Sequence, residues 1–260
     1  MKFTMSTYHL IKSLSQLARY GLFVAVLLFS VFSLGQTVPK PLQAEAAERY
    51  KRSSPSTDGI GKSYMGREIA RVMGWQAAPW LERTEREKEE RTDLLINTLS
   101  LKPGMVVADI GAGTGYLSRR MAKAISPSGR VVAVDVQPEM IAILQRNSRE
   151  AGLSNIEASL STEQDARLPI SSIDLAIMVD VYHELSFPHE VLASIVRALK
   201  PGGQIVFVEF KAEDFNVPIK SLHKMSEAQI KAEAAQHSLI WEKTVATLPW
   251  QHAVFFKASK

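Results

Sequence analysis

The chain contains no cysteine. That absence excludes a disulfide framework, a thiolate zinc site and a cysteine nucleophile. It leaves the redox compartment open, because a cysteine-free chain is at home anywhere. A strong net charge is also missing. The formal charge is +4 over 260 residues, and most of it precedes the folded part. Ahead of Ala47 stand Lys2, Lys12, Arg19 and Lys40 against Glu45 alone. The remainder is close to neutral, which argues against nucleic-acid binding driven by a basic field. Hydrophobic residues make up 46% of the chain and charged residues 22%. These fractions exclude disordered and collagen-like classes, and the length suits one sizeable α/β domain with additions.

Long apolar runs are scarce, and the longest stands apart from the rest. Lys2, Lys12 and Arg19 precede the apolar stretch 21–34, and a small-x-small site follows at Ala44-Glu45-Ala46. A basic start, an apolar run and such a site form the pattern of a secretory leader. The uncharged stretch 20–39 is also just long enough to span a bilayer as an uncleaved anchor. Residues 1–46 are therefore expected to export or anchor the chain, with cleavage slightly favoured and membrane association through 20–39 as the alternative.

Residues 48–61 carry Pro55, Asp58, Gly59 and Gly61 and read as a loop. From Ser63 to Leu99 the spacing of Met65, Ile69, Val72 and Met73, and of Leu94, Leu95 and Leu99, reads as helical. The charged stretch Trp80–Arg91 reads as a solvated helix with pairs three and four apart. A sharper reading puts Tyr64, Arg67, Trp80 and Arg83 over an active site. Residues 47–100 are thus expected to form a linker and helical extension, and residues 101–260 the main domain.

Within that domain short apolar runs alternate with helical patterns. Strands are expected at 105–110, 130–135, 155–160, 173–179, 204–210, 239–245 and 253–256. Helices are expected between them, one of them capped by Ser186 and stopped by the turn 200–203. Such alternation implies a largely parallel sheet covered on both faces. Ligands then bind beyond the carboxyl ends of the strands.

The loop after the first of these strands is Asp109-Ile110-Gly111-Ala112-Gly113-Thr114-Gly115. Glycines let a ligand approach the main chain closely. Position 116 is tyrosine, so the G-x-G-x-x-G spacing of dinucleotide-binding loops is incomplete, and no lysine followed by Ser or Thr marks a phosphate loop. Asp135 ends the second strand, 24 positions after Gly111. A carboxylate there can accept both hydroxyls of a ribose.

Asp109-x-Gly111-x-Gly113-x-Gly115 resembles the first motif of the class I S-adenosylmethionine-dependent methyltransferases. The resemblance covers roughly 101–260. It implies an α/β fold, with a Rossmann-like seven-stranded mostly parallel sheet, helices on both faces and the helical extension in front. It also implies S-adenosylmethionine as cofactor, held by Asp109, Gly111, Gly113 and Gly115, by Asp135 at the ribose, by Gln164 and Asp165 at the adenine, and by Asp180 at the methionine end. The expected reaction is methyl transfer to a small-molecule acceptor. A nicotinamide-dependent oxidoreductase and a non-catalytic cofactor-binding protein are the competing readings.

His183 follows the fourth strand, and histidine is a common general base, which makes it the first choice for that role. Glu184, His223 and His252 are further candidates. The spacing of histidines and acids suggests no metal site. The leader creates a tension, because S-adenosylmethionine is made in the cytoplasm and an exported enzyme lacks an obvious supply.

Overall fold

The computed structural model describes residues 49–259. The leader reading lies outside these residues. Among the described residues no helix is long and apolar enough to cross a membrane.

The main sheet holds all seven expected strands: β4 (Val106–Ile110), β5 (Arg130–Asp135), β6 (Ile156–Leu160), β7 (Ile173–Val179), β8 (Leu199–Lys211), β10 (Leu239–Val245) and β11 (Gln251–Ala258). A short β9 (Lys224–Met225) pairs with β8 off the main path. The order is β10-β11-β8-β7-β4-β5-β6. Strands β6, β5, β4, β7 and β8 run parallel, and β11 pairs antiparallel with both its neighbours.

Alternation along each strand sends successive side chains to opposite faces. Val107, Val131, Ala133, Leu175, Ile177 and Val206 pack on one side against Leu117 and Met121 of α4 (Tyr116–Ala124), Leu144 of α5 (Pro138–Glu150) and Leu95 of α3 (Thr92–Thr98). Ala108, Val132, Ala176, Met178, Ile205 and Phe207 pack on the other. Their partners are Leu192 and Ile195 of α6 (Pro188–Ala198) and Ile230 of α7 (Glu227–Ala234). Both faces are buried, which is why these strands read as continuous apolar runs. Helix α6 begins after Phe187 with Pro188 in its first turn, rather than on a Ser186 cap.

The extension departs from expectation. Residues 50–70 are not loop and helix but a three-stranded antiparallel sheet, β1 (Tyr50–Arg52), β2 (Gly59–Tyr64) and β3 (Arg67–Ala70). Tyr64 pairs with Arg67 across a two-residue turn in which Met65 has φ 48° and Gly66 φ 90°. Positive φ at both central residues matches the right-handed twist of a hairpin. The spacing that mimicked a helix places Ile69 in β3 and Met65 in that turn.

Tyr50, Tyr64 and Ile69 form a small core of their own with Phe187 of the main domain packed against it. Lys62 is buried there, with Nζ 3.3 Å from the Phe187 ring centre, and donates to the Ser186 carbonyl. The charged stretch after it breaks into α1 (Ala78–Leu81) and α2 (Arg86–Glu90). It is not a wholly solvated helix, since Arg86 and Glu90 are buried. Their pair, Nε to Oε2 at 2.8 Å, turns one face of α2 inward, and Arg91 ends it in the left-handed region.

Candidate functional site

The site lies where the strand order reverses. β4 has β5 on one side and β7 on the other, so the loops after them diverge and leave a crevice. A cavity of about 430 Å³ occupies it, within the range of small-ligand sites. The loops after β4, β5, β6 and β7 line it, together with 218–223 and part of the extension.

Gly111 and Gly113 line this cavity with φ of 69° and 54°. A Cβ on Gly111 would lie 2.5 Å from Val181 Cγ2, and one on Gly113 would lie 2.6 Å from Leu81 Cδ1. Only glycine fits this cradle. Asp135 lines the cavity at the end of β5. Its Oδ2 accepts from the Gly113 amide at 2.9 Å and its Oδ1 from the Gln137 amide at 2.9 Å. Its carboxylate therefore fixes the glycine loop as well as facing the crevice. Burial holds it above the usual carboxylate range.

Asp180 sits at the end of β7 in the left-handed region, φ 54°. Its Oδ2 accepts from Gln251 Nε2 at 2.6 Å, while Oδ1 is buried without a partner. Burial first, then the carboxylates of Glu90 and Glu209, keep its own carboxyl well above the ordinary range. A buried acceptor left unpaired costs free energy unless a ligand supplies a donor. The glycine cradle, the crevice-facing Asp135 and this orphaned oxygen together fit the ribose hydroxyls and the amino group of S-adenosylmethionine.

Four expected residues fall elsewhere. Asp109 is buried beneath the loop and accepts from Ser118 Oγ at 2.5 Å, so it ties β4 to α4 rather than lining the cavity. Gly115 starts α4 and packs on Leu144. After β6, the cavity wall is Ser161, Thr162, Glu163 and Ala166. Gln164 is exposed, and Asp165 turns outward to Arg197 at 3.3 Å and to the Arg167 amide at 2.6 Å. Thr162 Oγ1 accepts from the amides of Gln164 and Asp165, and that tight turn points both side chains away.

Burial pushes the Asp109 carboxyl up to about 6. Its folded pKa thus exceeds its unfolded value, so the protonated form is the one the fold favours. This contribution is full below about pH 4 and is lost as pH rises through 6, a change on the order of 3 kcal/mol. Asp109→Asn keeps an acceptor for Ser118. It is expected to flatten the fall in stability between pH 4 and 6 in urea titrations. An unchanged slope would remove Asp109 as its source.

His183 lines the cavity beside His223 and is almost wholly buried. Its Nδ1 lies 2.5 Å from Oε2 of Glu209 on β8. Glu209 is itself held by the Tyr182 amide at 3.0 Å. A carboxylate can only accept, so Nδ1 carries a proton, and in the neutral ring Nε2 holds the lone pair. That Nε2 is 3.1 Å from His223 Nδ1 and 3.9 Å from Glu184 Oε1. His223 Nδ1 is 3.2 Å from the same Glu184 oxygen, and the bond to Glu184 raises its pKa above the usual imidazole range. Sequence spacing did not show this grouping, because 40 positions separate His183 from His223. His252 is buried in β11, opposite Glu209 in the ladder and outside the cavity wall.

The extension closes the crevice from above. Val72, Met73, Trp80, Leu81, Arg83 and Arg86 line the cavity. Trp80 and Arg83 therefore stand over it as read from the sequence, while Tyr64 and Arg67 do not. Thr114 Oγ1 donates to Glu82 at 2.6 Å, and Arg119 pairs with Glu82 at 2.8 Å, so the extension also grips the glycine loop. The helical spacing of Val72 and Met73 carries no sign that these two residues join Trp80 and Arg83 in this roof.

Residues 101–253 match the family model described as Methyltransferase domain. The chain belongs to that methyltransferase family. Similar curated relatives of this chain include the ubiquinone/menaquinone biosynthesis C-methyltransferase UbiE of Hydrogenovibrio crunogenus. It is 30% identical over 116 residues, 44% of this chain and 46% of that relative. The UbiE of Bordetella parapertussis is 33% identical over 117 residues, 44% of each protein. The chain spans about half the length of the curated relatives it matches. Among solved structures, a SAM-dependent methyltransferase from Aquifex aeolicus is similar at a TM-score of 0.69 and 24% identity. The match covers 72% of this chain and all of that one. A geranyl diphosphate methyltransferase in complex with GPP and sinefungin is similar at a TM-score of 0.51 and 15% identity, over 65% of this chain and 77% of that one. Both likenesses are of fold.

Proposed function

We propose that the protein is an S-adenosylmethionine-dependent methyltransferase acting on a small, largely apolar acceptor. The observation that carries the reading is the cavity in which Gly111, Asp135 and the orphaned Asp180 Oδ1 meet. S-adenosylmethionine supplies a methyl group on a sulfonium, which needs alignment with its acceptor rather than activation. Asp135 would hold the ribose, the Gly111–Gly113 backbone the body of the cofactor, and Asp180 its amino group. Leu81 and Trp80 exclude water from above, so that the acceptor is held in line. His183, with its lone pair fixed by Glu209, is the group that meets the acceptor.

The UbiE relatives are named as C-methyltransferases of ubiquinone and menaquinone biosynthesis. An aromatic or quinone-like acceptor agrees with the apolar wall of Val181, Leu185, Pro218 and Ile219 beyond His183. The basic and apolar pattern of residues 1–39 supports a membrane-proximal or exported location, and an apolar acceptor suits the former.

Isothermal calorimetry on the purified full-length chain is expected to show one site for S-adenosylmethionine or S-adenosylhomocysteine and none for NADH. Folded protein that binds NADH, or binds neither sulfur compound, would falsify the assignment. Tight binding with no transfer across a panel of phenols, quinols and amines would favour a non-catalytic role.

A further inference from the structure

We propose that His183, His223 and Glu184 form a binding site for a zinc-class divalent metal ion at the acceptor end of the cavity. The three groups bring one ligating atom each to a common point: His183 Nε2, His223 Nδ1 and Glu184 Oε1. Their separations are 3.1, 3.2 and 3.9 Å. Three atoms so spaced lie on a circle of radius about 2.0 Å, which is the length of a zinc–nitrogen or zinc–carboxylate bond. A single ion near its centre lies within bonding distance of all three atoms.

The surroundings of the two imidazoles give the second line of argument. Each has its far nitrogen beside a carboxylate. His183 Nδ1 is 2.5 Å from Glu209, and His223 Nε2 is 3.3 Å from Asp58 Oδ2. A carboxylate behind an imidazole fixes the tautomer and the ring orientation, and turns the opposite nitrogen's lone pair toward a metal. Here His183 is oriented in this way by its hydrogen bond to Glu209, while Asp58 stands beside His223 as a nearby charge, and the two rings come from different elements with Nε2 and Nδ1 converging. Asp58 is steadied in turn by Lys220 at 2.7 Å. Glu184 uses its other oxygen, Oε2, to accept from the Met73 amide at 3.2 Å, which leaves Oε1 free to turn inward.

Without a cation the arrangement is less economical. Two imidazole nitrogens face one another with a carboxylate alongside, and a single proton on His223 must serve both contacts. Two nitrogens and one carboxylate oxygen are donors suited to zinc and its neighbours, whereas magnesium and calcium take oxygen ligands. All three ligands line the cavity, so the remaining coordination faces the acceptor. With the ion bound, His183 Nε2 is a ligand, so the ion's open coordination, in place of the His183 lone pair, meets the acceptor and selects those that carry an oxygen. This extends the methyltransferase reading, but the donor geometry stands apart from the cofactor half of the site.

The test is zinc titration of the full-length chain, stripped with a chelator, in competition with a chromogenic zinc indicator. Cobalt(II) is used in parallel for its visible absorption, and magnesium as a control. One zinc per chain is expected, with cobalt bands of a four- or five-coordinate site. His223→Ala and Glu184→Ala are each expected to weaken zinc by at least about 100-fold, and Asp58→Asn by about 10–100-fold. His223 is only partly buried, so its variant avoids the folding risk of His183→Ala, and circular dichroism confirms matched folds. No stoichiometric zinc in folded wild type, magnesium bound in preference to zinc, or His223→Ala binding as wild type overturns the site. Calorimetry with S-adenosylmethionine on the same stripped sample separates this failure from that of the cofactor reading.

Discussion

Replacing Glu233 by alanine is expected to lower the unfolding free energy by roughly 3–5 kcal/mol. Glu233 of α7 is fully buried and holds Arg67 of β3 in a two-pronged pair, Oε1 to Nε at 2.9 Å and Oε2 to Nη2 at 3.1 Å. The same guanidinium donates from Nη1 to the His183 carbonyl at 3.1 Å. One cation thus joins three elements: the small N-terminal sheet, α7 and the turn that carries His183. Removing its partner leaves a charge that is nine-tenths shielded from water with one backbone carbonyl for company. Urea unfolding read by tryptophan fluorescence measures the loss. The double variant Arg67→Met with Glu233→Leu removes both charges and is expected to recover most of it, since the cost lies in the unpaired ion more than in the lost attraction. If Glu233→Ala unfolds at the wild-type midpoint, the pair does not fasten the sheet to the domain.

That fastening also explains what could be read from the sequence and what could not. The seven main strands were legible because both faces of the sheet are covered, which leaves runs such as Val131–Val134 and Ile205–Val208 apolar throughout. The glycine loop was legible because its φ angles and its contact with Val181 admit no side chain. The hairpin at 59–70 was hidden by its turn. Two-residue hairpin turns usually declare themselves by Asn-Gly or Asp-Gly, and here Met65 precedes Gly66. Lys62, a buried cation between β2 and Phe187, also breaks the polar-out alternation that marks a strand.

Within the site, residues at strand ends were placed well and residues in turns were not. Asp135 and Asp180 follow strands whose register fixes them at the crevice. Gln164 and Asp165 lie in a turn whose direction is set by Thr162, a local hydrogen-bond choice with no periodic signature. The grouping of His183, Glu184 and His223 depends on the path from β8 to β9, and no spacing rule carries that information.

Gly111→Ala is expected to lower affinity for S-adenosylmethionine by about 100-fold or more. Two penalties fall on this one position. An alanine at φ 69° pays roughly 1–2 kcal/mol for left-handed backbone. Its Cβ would also lie 2.5 and 2.6 Å from the two methyls of Val181 and 3.1 Å from Val181 Cβ itself, so the neighbour cannot escape by rotating. The chain between β4 and α4 must shift instead, and the shift carries the Gly113 amide away from Asp135. A loss of about 2.7 kcal/mol is 100-fold in binding. Gly152→Ala separates the two penalties. It has a similar φ of 66°, but nothing lies within 4 Å of an added Cβ and the residue is remote from the cavity wall. It is expected to cost about 1 kcal/mol of stability and no affinity. Calorimetry on both variants decides the matter. Wild-type affinity in both variants would mean that the close approach of Gly111 to Val181 does not shape the cofactor's seat.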